Sequence, residues 1–453
     1  MEAFVKKLII VIVICYYAVA GIAQTHSQNL VKIAPAALRS DFALLSDTMR
    51  KVHPGMYRYN SKAAVDRVFD SCYAAITDSM TIPQFYMLVN FATASVEDGH
   101  THVNLPKNVI SNIAANIKLL PVITALIHNR AYVYCCSDTA LKGAELLTIN
   151  GRTVPGVINE MFKYIASDAG IQSRKNWEIG DGFTLLYNIL YGNADSFAIT
   201  YKKNGGHIKR TTLQAGYYKN FACQPAFTKP AKYLQLSYRP GNIAVLTIKS
   251  FFDVFLQQTG ENFSAFLDSA FNDIRTKNIK RLLVDIRGNQ GGNDGNGILL
   301  YSYLVQQPFM YYEAQETVSE KFKADDDHGN LKLQQPKSNS YAGKVFVLAD
   351  GRSFSVSAEF AAMIRGNKRG VMIGEEVGGG YFGNTSGGDA EFDLPNTGLS
   401  CRIPLVKYSS AVTKQANKGN TILPDYPVYY TVQDLINKTD SQLNEALHIA
   451  AEK

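Results

Sequence analysis

The second half of the sequence alternates short apolar runs with longer stretches of helical spacing, and this alternation constrains the fold more than any other feature. Apolar runs of four to eight residues bounded by turn residues are typical of strands. Strands that alternate with helices favour an α/β layer with largely parallel pairing, whose functional sites lie at the carboxyl ends of the strands. The predicted elements are strands at 243–248, 282–286, 344–348 and 371–374, and helices at 263–275, 297–305 and 355–365.

One strand end passes into a helix through a sharp turn at Asp350 and Gly351, and three serines follow it. A serine hydroxyl at a helix N-terminus lies where unpaired N–H groups and the helix dipole favour negative charge. Ser355 is therefore placed to act as a nucleophile. Alternatively, Ser353, Ser355 and Ser357 only compete to cap the helix, because serine is among the preferred N-cap residues.

A second strand end, at 282–294, is rich in glycine. Gly291 and Gly292 let the backbone expose its N–H groups, which is what an oxyanion hole needs. Side-chain hydrogen bonds from Asp285, Arg287 and Asn289 can hold this turn. A phosphate-binding loop is the alternative, but the run matches neither GxxxxGK[ST] nor GxGxxG.

The first half of the sequence has a different pattern. Apolar residues recur at helical spacing between 35 and about 93, which predicts three or so helices. A turn at Asp98 and Gly99 follows, and behind it His100 and His102 would face opposite sides of a strand. Residues 106–230 are predicted to be rich in β-structure, with strands near 119–126, 131–135, 141–149 and 196–201 and a helix at 157–165.

The end of the chain is predicted to be less regular. Residues 376–388 have the composition of a flexible loop, and 399–405 has the pattern of a strand. Residues 419–428 are interpreted as a loop that leads into an edge strand. A helix closes the chain.

Residues 1–23 have the order of a secretory signal peptide, with Lys6 and Lys7, a short apolar core and small residues before Gln24. Cys15 follows Ile14, where a lipobox needs a small residue, so lipid anchoring is the weaker interpretation. No later segment has eighteen consecutive apolar residues. We therefore expect an exported protein, periplasmic or extracellular, without stable membrane insertion after cleavage.

Composition excludes some functions. The 453 residues are 46% hydrophobic and 19% charged, which indicates ordinary globular domains, and the formal charge of +7 is not gathered into a Lys/Arg block. Nucleic acid is therefore not an expected partner. The five cysteines of the mature chain imply neither a disulfide framework nor a zinc site, and we expect no metal and no nucleotide cofactor.

Three stretches together resemble the tail-specific or C-terminal-processing family of serine peptidases, including its tricorn-core and retinoid-binding-protein-like branch. They are EDGHT at 97–101, VDIRGNQGG at 284–292, and GRSFSVSAE at 351–359 with IGE at 373–375 behind it. The HPGMY run at 53–57 is similar to secreted homologues of the Bacteroidetes type. The run KGAELLTING at 142–151 resembles PDZ-type modules, which capture extended peptides at a sheet edge; an unspecialised sandwich is the alternative.

The resemblance implies a division of the chain into a signal peptide at 1–23, an N-terminal helical cap at 24–105 that ends in the His100 segment, a PDZ-like β-rich domain at 106–230, and a ClpP/crotonase-like catalytic α/β domain at 231–453. It also implies a polypeptide substrate.

The resemblance further implies Ser355 as the nucleophile and His100 as the general base, since the lysine of the processing branch has no counterpart at 377–380. The backbone N–H of Val356 and those of Gly291 or Gly292 would hold the oxyanion. The family's orienting glutamate is missing near 415–419, and Glu375, Glu376 or Asp98 could replace it.

Two other functions stay open. A non-catalytic relative of the same fold would bind peptides or apolar ligands without hydrolysing them, as the missing acid and the aromatic content of 11% allow. Acyl-CoA chemistry would rest on analogy of fold alone.

Overall fold

The computed structural model describes residues 31–203, 205–222, 230–323, 329–414, 417 and 419–453. The predicted signal peptide, Cys15 and Cys223 lie outside them. The described residues fall into two compact units. The first unit comprises those within 31–166, 178–222 and 389–404, and the second unit those within 167–177, 230–388 and 405–453.

The bounds of the elements follow in chain order. The helices are α1 Pro35–Val52, α2 Lys62–Ala74, α3 Ile82–Ala94, α4 Lys107–Asn116, α5 Val154–Met161, α6 Gln172–Tyr191, α7 Asp253–Gln257, α8 Phe263–Thr276, α9 Asp294–Ser302, α10 Val356–Gly366, α11 Val432–Asn437 and α12 Ser441–Glu452. The strands are β1 Lys32–Ile33, β2 Met80–Thr81, β3 His102–Asn104, β4 Lys118–Leu119, β5 Val122–Ile127, β6 Arg130–Cys136, β7 Glu145–Ile149, β8 Arg152–Thr153, β9 Ser196–Lys202, β10 Lys209–Gln214, β11 Gly216–Tyr217, β12 Leu234–Arg239, β13 Ile243–Ile248, β14 Arg281–Asp285, β15 Tyr312–Glu316, β16 Lys321–Lys323, β17 Lys344–Ala349, β18 Val371–Gly374, β19 Thr385–Asp393, β20 Ser400–Ser410 and β21 Tyr426–Pro427.

The helices α1, α2 and α3 of the first unit confirm the helical spacing predicted between 35 and 93. Local signals set where they begin. Ser61 caps α2 by accepting from the N–H of Ala64, and Thr81 and Gln84 form a capping box at the start of α3. The apolar sides of the three helices are buried in one cluster that includes Leu38, Phe42, Val65, Phe69, Phe85 and Val89.

The first unit also contains an antiparallel sheet in the order β10, β9, β7, β6, β5, with β8 on β7. Asn150 and Gly151 join β7 to β8 with φ of 47° and 77°, as a tight hairpin turn requires. The strands predicted at 131–135 and 196–201 and the helix α5 are confirmed, whereas the strand predicted at 119–126 is divided between β4 and β5 and that at 141–149 begins only at Glu145. The helices α4 and α6 were not predicted. In α6, Gly180 and Gly182 interrupt the apolar spacing.

The second unit is built on a six-stranded sheet in the order β12, β13, β14, β17, β18, β21. Only β12 is antiparallel to its neighbour, and the other pairs are parallel. This confirms the predicted α/β layer, and β21 is the edge strand expected after the 419–425 loop. Helix α9 begins three residues earlier than predicted, since the Asn293 side chain caps it by accepting from the N–H of Gly295.

Both faces of this sheet are buried, as parallel sheets require. Residues that alternate along β13, β14 and β17 divide between two apolar clusters. Leu246, Val284 and Val347 pack with helices α8, α9 and α10, while Val245, Leu283 and Phe346 belong with α12. Helix α10 follows the C-terminal end of β17, which is one of the central strands of this sheet.

The loop predicted at 376–388 is confirmed for 376–384, but its backbone is held by hydrogen bonds. The N–H of Val377 donates to Ile422 at 3.0 Å and that of Tyr381 to Asn420 at 2.7 Å, and residues from Thr385 onwards belong to β19. The glycines serve close packing here. A Cβ on Gly378 would lie 2.2 Å from the carbonyl oxygen of Gly351.

Cysteine chemistry also differs from expectation. Cys135 is disulfide-bonded, whereas the thiols of Cys72, Cys136 and Cys401 are free. The odd number and irregular spacing of the cysteines gave no sign of this bond. Among the described helices, none combines the length and the apolar character that a membrane span needs.

Candidate functional site

The turn after β17 is held by one aspartate. The carboxylate of Asp350 accepts hydrogen bonds from the backbone N–H groups of Gly288, Arg352 and Ser353 at 3.0–3.1 Å. An aspartate that accepts from the N–H groups of the following residues is a common way to fix a turn. The chain therefore reaches helix α10 along a fixed path.

Ser355 is the last residue before α10, and its backbone has φ 54° and ψ −126°. A non-glycine residue in this region costs of order 1–3 kcal/mol and persists only where its surroundings impose it. The carbonyl oxygen of Ser355 accepts from the N–H groups of Ala358 and Glu359, so the first turn of the helix holds the residue. The strained backbone fixes the direction of the Ser355 side chain.

The three serines of this turn differ in what surrounds them. The Oγ of Ser353 donates to the carbonyl of Ile286 at 2.8 Å, and Ser353 is buried. Ser357 is also buried, and its Oγ has no hydrogen-bond partner among the described residues. Ser355 is only half-buried. Of the three, it alone combines a strained backbone with access to solvent.

The glycine turn after β14 is anchored on both sides. Arg287 pairs with Asp285 at 2.9 Å and with Asp440 at 2.7 Å. The side chain of Asn289 donates to the carbonyl of Ile248 at 3.0 Å. Burial alone would raise the pKa of Asp285, but the hydrogen bonds from Arg287 and nearby positive charge lower it below its ordinary value.

This turn lies against Ser355. A Cβ placed on Gly291 would come within 2.7 Å of the Ser355 Cβ and 3.0 Å of the Val356 nitrogen. A Cβ on Gly292 would lie 2.2 Å from the carbonyl carbon of Phe251. Both glycines have positive φ, 98° and 143°. Only glycine fits at these two positions.

The N–H groups around Ser355 are not equivalent. The N–H of Gly291 donates to the Oδ1 of Asn289 at 2.9 Å. By contrast, the N–H groups of Gly292 and Val356 have no acceptor in the described part of the chain. A helix leaves its first N–H groups without intrahelical partners, which accounts for Val356. The backbone N–H groups of Gly292, in the glycine turn, and of Val356, directly after the serine, are therefore available as hydrogen-bond donors.

His100 belongs to the first unit, where it follows a buried polar network. The Nε2 of His53 lies 3.0 Å from both the Oδ2 of Asp98 and the Oγ1 of Thr101, and Thr101 donates to Asp98 at 2.6 Å. The N–H of His100 lies 3.4 Å from the Oδ1 of Asp98. The His100 ring carries a nitrogen within 4.8 Å of a carboxylate oxygen of Asp98. His53 was not predicted as part of a site, because its run was interpreted as a break between helices and as a resemblance to secreted homologues.

The carboxylate of Asp98 is charged at neutral pH. Burial would raise its pKa, but the hydrogen bond from His53, the charges that His53 and His100 can carry and the hydrogen bond from Thr101 together lower it. Asp98 is therefore an anion held beside the imidazole of His100.

The two glutamates predicted as alternative acids belong to the second unit and have other partners. Glu375 accepts from the Nε2 of Gln442 at 2.8 Å. Burial, and then the charge of Asp350, raise its pKa to about 7. The Oε2 of Glu376 accepts from the N–H of Ser173 at 3.2 Å.

A further buried acid was missed by the sequence analysis. Glu359 lies one helical turn after Ser355 and accepts hydrogen bonds from the hydroxyl of Tyr312 at 2.6 Å and from the amide of Asn384 at 2.7 Å. Burial raises its pKa to about 7. Its partners are far away in the sequence, so only the four-residue spacing from Ser355 could have indicated it.

The segment 167–177 packs on the nucleophile turn in the second unit, although the prediction assigned it to the β-rich region. The N–H of Gly380 donates to Asp168 at 3.4 Å. The guanidinium of Arg174 lies over the ring of Phe354 at 4.4 Å, and that of Arg352 over Trp177 at 4.2 Å. The two ring contacts hold Arg352 and Phe354, which precede Ser355 in the turn.

Sequence comparisons with known proteins show similarity to peptidases. Residues 242–428 match peptidase family S41. The chain is 23% identical over 200 residues to a carboxyl-terminal-processing protease of Picosynechococcus sp.. That match covers 43% of this chain and 44% of the relative, so the chain aligns with less than half the length of this curated relative.

The fold is similar to that of two crystal structures. Mature CPAF superposes with a TM-score of 0.63 at 11% identity, over 92% of this chain and 97% of that chain. Mature CPAF complexed with lactacystin gives 0.62 at 12% identity, over 92% and 98%. At these identities the likeness concerns the fold alone.

Proposed function

We propose that the protein is a serine endopeptidase that hydrolyses peptide bonds in extended or C-terminal polypeptide segments, with Ser355 as its nucleophile. The match of residues 242–428 to peptidase family S41 supports this proposal. The observation that carries the proposal is the φ of 54° at Ser355. A strained turn from strand to helix that exposes one serine is a recurrent way to present a nucleophile.

In the proposed mechanism, His100 takes the proton from the Ser355 hydroxyl as the Oγ attacks the peptide carbonyl, and then gives it to the leaving amine. Water attacks the resulting ester in the second half of the reaction, with His100 again as the base. Histidine suits this role because its ordinary pKa lies near neutrality.

The acid that orients His100 is proposed to be Asp98. Its carboxylate lies beside the imidazole within the first unit and is ionised, so it can stabilise an imidazolium. Glu375 and Glu376, the other two candidates, belong to the second unit, and burial raises the pKa of Glu375 to about 7.

The oxyanion is proposed to bind the open N–H groups of Gly292 and Val356. Gly291 is the poorer donor, because its N–H already serves Asn289. Loss of one such donor typically costs about 3–4 kcal/mol of transition-state stabilisation. Asp285, Arg287 and Asn289 act on this step only through the turn that they hold.

The wider setting is part of the proposal. We expect a helical cap at 24–105, a PDZ-like domain at 106–230 that captures extended peptide, and a ClpP/crotonase-like catalytic domain at 231–453. The disulfide at Cys135 supports export, because such bonds persist in oxidising compartments such as the periplasm.

The test is hydrolysis of an unfolded polypeptide such as casein. We expect Ser355→Ala to lower the rate by three or more orders of magnitude, about the loss seen when a serine nucleophile is removed. Ser357→Ala makes the same chemical change two residues away and should keep the activity. Equal activity in wild type and Ser355→Ala would refute the proposal. A folded wild type that binds peptide but cleaves none would instead be a non-catalytic relative.

A further inference from the structure

Three apolar side chains are exposed in the segment that follows β13. The exposed fractions are 44% for Phe252, 60% for Val254 and 40% for Phe255. The rings of Phe252 and Phe255 lie 5.3 Å apart, and Phe255 stacks on Tyr233 at 5.9 Å. We call Phe252, Val254 and Phe255 the apolar face. Exposed apolar side chains gathered in so short a segment call for an explanation.

Flexibility does not explain this exposure, because the segment is tied to its surroundings. The carboxylate of Asp253 accepts from the amides of Asn293 at 2.7 Å and Asn296 at 2.8 Å. The N–H of Phe252 donates to the Oγ of Ser250 at 3.0 Å. Phe251 is fully buried and its ring contacts Phe263 at 5.6 Å. The fold therefore holds the apolar face in a fixed position.

The apolar face adjoins the glycine turn. The N–H of Phe251 donates to the carbonyl of Gly291 at 2.9 Å. The backbones of Gly292 and Phe252 are so close that a Cβ on Gly292 would lie 2.2 Å from the Phe252 nitrogen. Gly291 in turn lies against Ser355. A chain bound with its carbonyl at Gly292 would have its neighbouring side chains within reach of this face.

We propose that the apolar face is a substrate subsite that binds aromatic or branched aliphatic side chains close to the scissile bond. The substrates would then be unfolded polypeptide segments with such residues beside the cleaved bond. This inference rests on the proposed peptidase function, which it makes more specific.

Size favours a substrate side chain over a second copy of the chain. An aromatic side chain offers roughly 150–250 Å², so the exposed parts of three apolar residues amount to roughly 250–300 Å². A stable interface between proteins buries about 1,200 Å² or more in total. The apolar face is too small for that by itself, but it can cover one or two substrate side chains.

The experiment compares two quenched fluorescent peptides that differ only around the cleaved bond, one with Phe and Leu and the other with Ser and Thr. We expect the wild type to prefer the apolar peptide. The double variant Val254→Ser/Phe255→Ser should lower kcat/KM for the apolar peptide about tenfold or more, mainly through KM, and leave that for the polar peptide unchanged. Val318→Ser, which alters a valine that is 58% exposed elsewhere in the second unit, is the matched control.

Labelling of Ser355 by a fluorophosphonate separates the two proposals. Normal labelling of the double variant with lost preference supports the subsite. Normal labelling with preference retained overturns the subsite and leaves the peptidase standing. A wild type that neither labels nor cleaves overturns both. A wild type that is dimeric by light scattering and a double variant that is monomeric would assign the face to a copy of the chain and overturn the subsite.

Discussion

Two buried carboxylates, one in each unit, lie near the residues proposed to do the chemistry, and their charge differs. Burial by itself would raise the pKa of both carboxyl groups. Asp98 has imidazole neighbours in His53 and His100, so its pKa is lowered. For Glu359, burial and then the charge of Asp294 raise the pKa to about 7, and the hydrogen bonds from the neutral Tyr312 and Asn384 offset only part of this rise. The charge of a buried acid depends on its partners, and of these two only Asp98 is an anion over the whole neutral range.

The two turns also differ in where the backbone strain lies. In the second unit the strain is at Ser355 itself, with φ 54°. In the first unit it is at Glu97, with φ 57°, three residues before His100. The backbone therefore fixes the serine, while the hydrogen bonds of Asp98 fix the segment that carries the histidine.

The largest effect is expected from His100 and His53, two of the histidines of the first unit. His100→Ala should lower the hydrolysis rate by about 10²–10⁴-fold, the usual contribution of a general base, and leave the unfolding free energy within about 1 kcal/mol. His53→Ala should instead lower the unfolding free energy by about 3 kcal/mol, because it leaves Asp98 buried with fewer partners. Urea unfolding and a casein assay measure both. Full activity in a folded His100→Ala protein would rule out this base.

A smaller effect is expected from two glycines of one turn. Gly292→Ala puts a Cβ 2.2 Å from the backbone of Phe251 and Phe252 and should displace a proposed oxyanion donor, with a loss of about 10²–10³-fold in kcat. Gly288 has φ 74° with open space around it, so Gly288→Ala should cost only about 1–2 kcal/mol of stability. Equal kcat values in the two variants would contradict the role given to Gly292.

The smallest effect concerns pH. The pKa of Glu359 in the folded protein is about 7, above its ordinary value of 4.5, so the folded state keeps a proton that the unfolded chain releases. The resulting stability is fully present below about pH 4.5 and is lost as the pH rises to about 7. Glu359→Gln should remove this slope, at most about 1.4 kcal/mol per pH unit. The exposed Glu313→Gln is the control, and an unchanged slope in Glu359→Gln would show that Glu359 is not the group responsible.

The sheet of the second unit was predictable from sequence, because its strands are short apolar runs whose length and spacing are both typical of buried strands. Runs such as 243–248 and 371–374 are strands with the predicted bounds. Helix α6 was not predictable in this way, since Gly180 and Gly182 break its pattern and its residues divide between the two units.

At the site, local signals indicated the turn at Ser355 and the glycines that adjoin it. They did not distinguish Gly291 from Gly292, since that depends on a hydrogen bond to Asn289. They also missed the hydrogen bond between Tyr312 and Glu359 and the one between His53 and Asp98. Each of these joins residues that are 45 or more positions apart in the sequence. Long-range hydrogen bonds leave no periodic trace in a sequence.

The most direct test of the account is the site of a covalent adduct. After reaction of the folded protein with a fluorophosphonate, peptide mass spectrometry should place a single adduct on Ser355, with Ser353 and Ser357 unmodified. An adduct on another serine, or a folded protein that takes no label, would contradict the claim that the strained serine before α10 is the nucleophile.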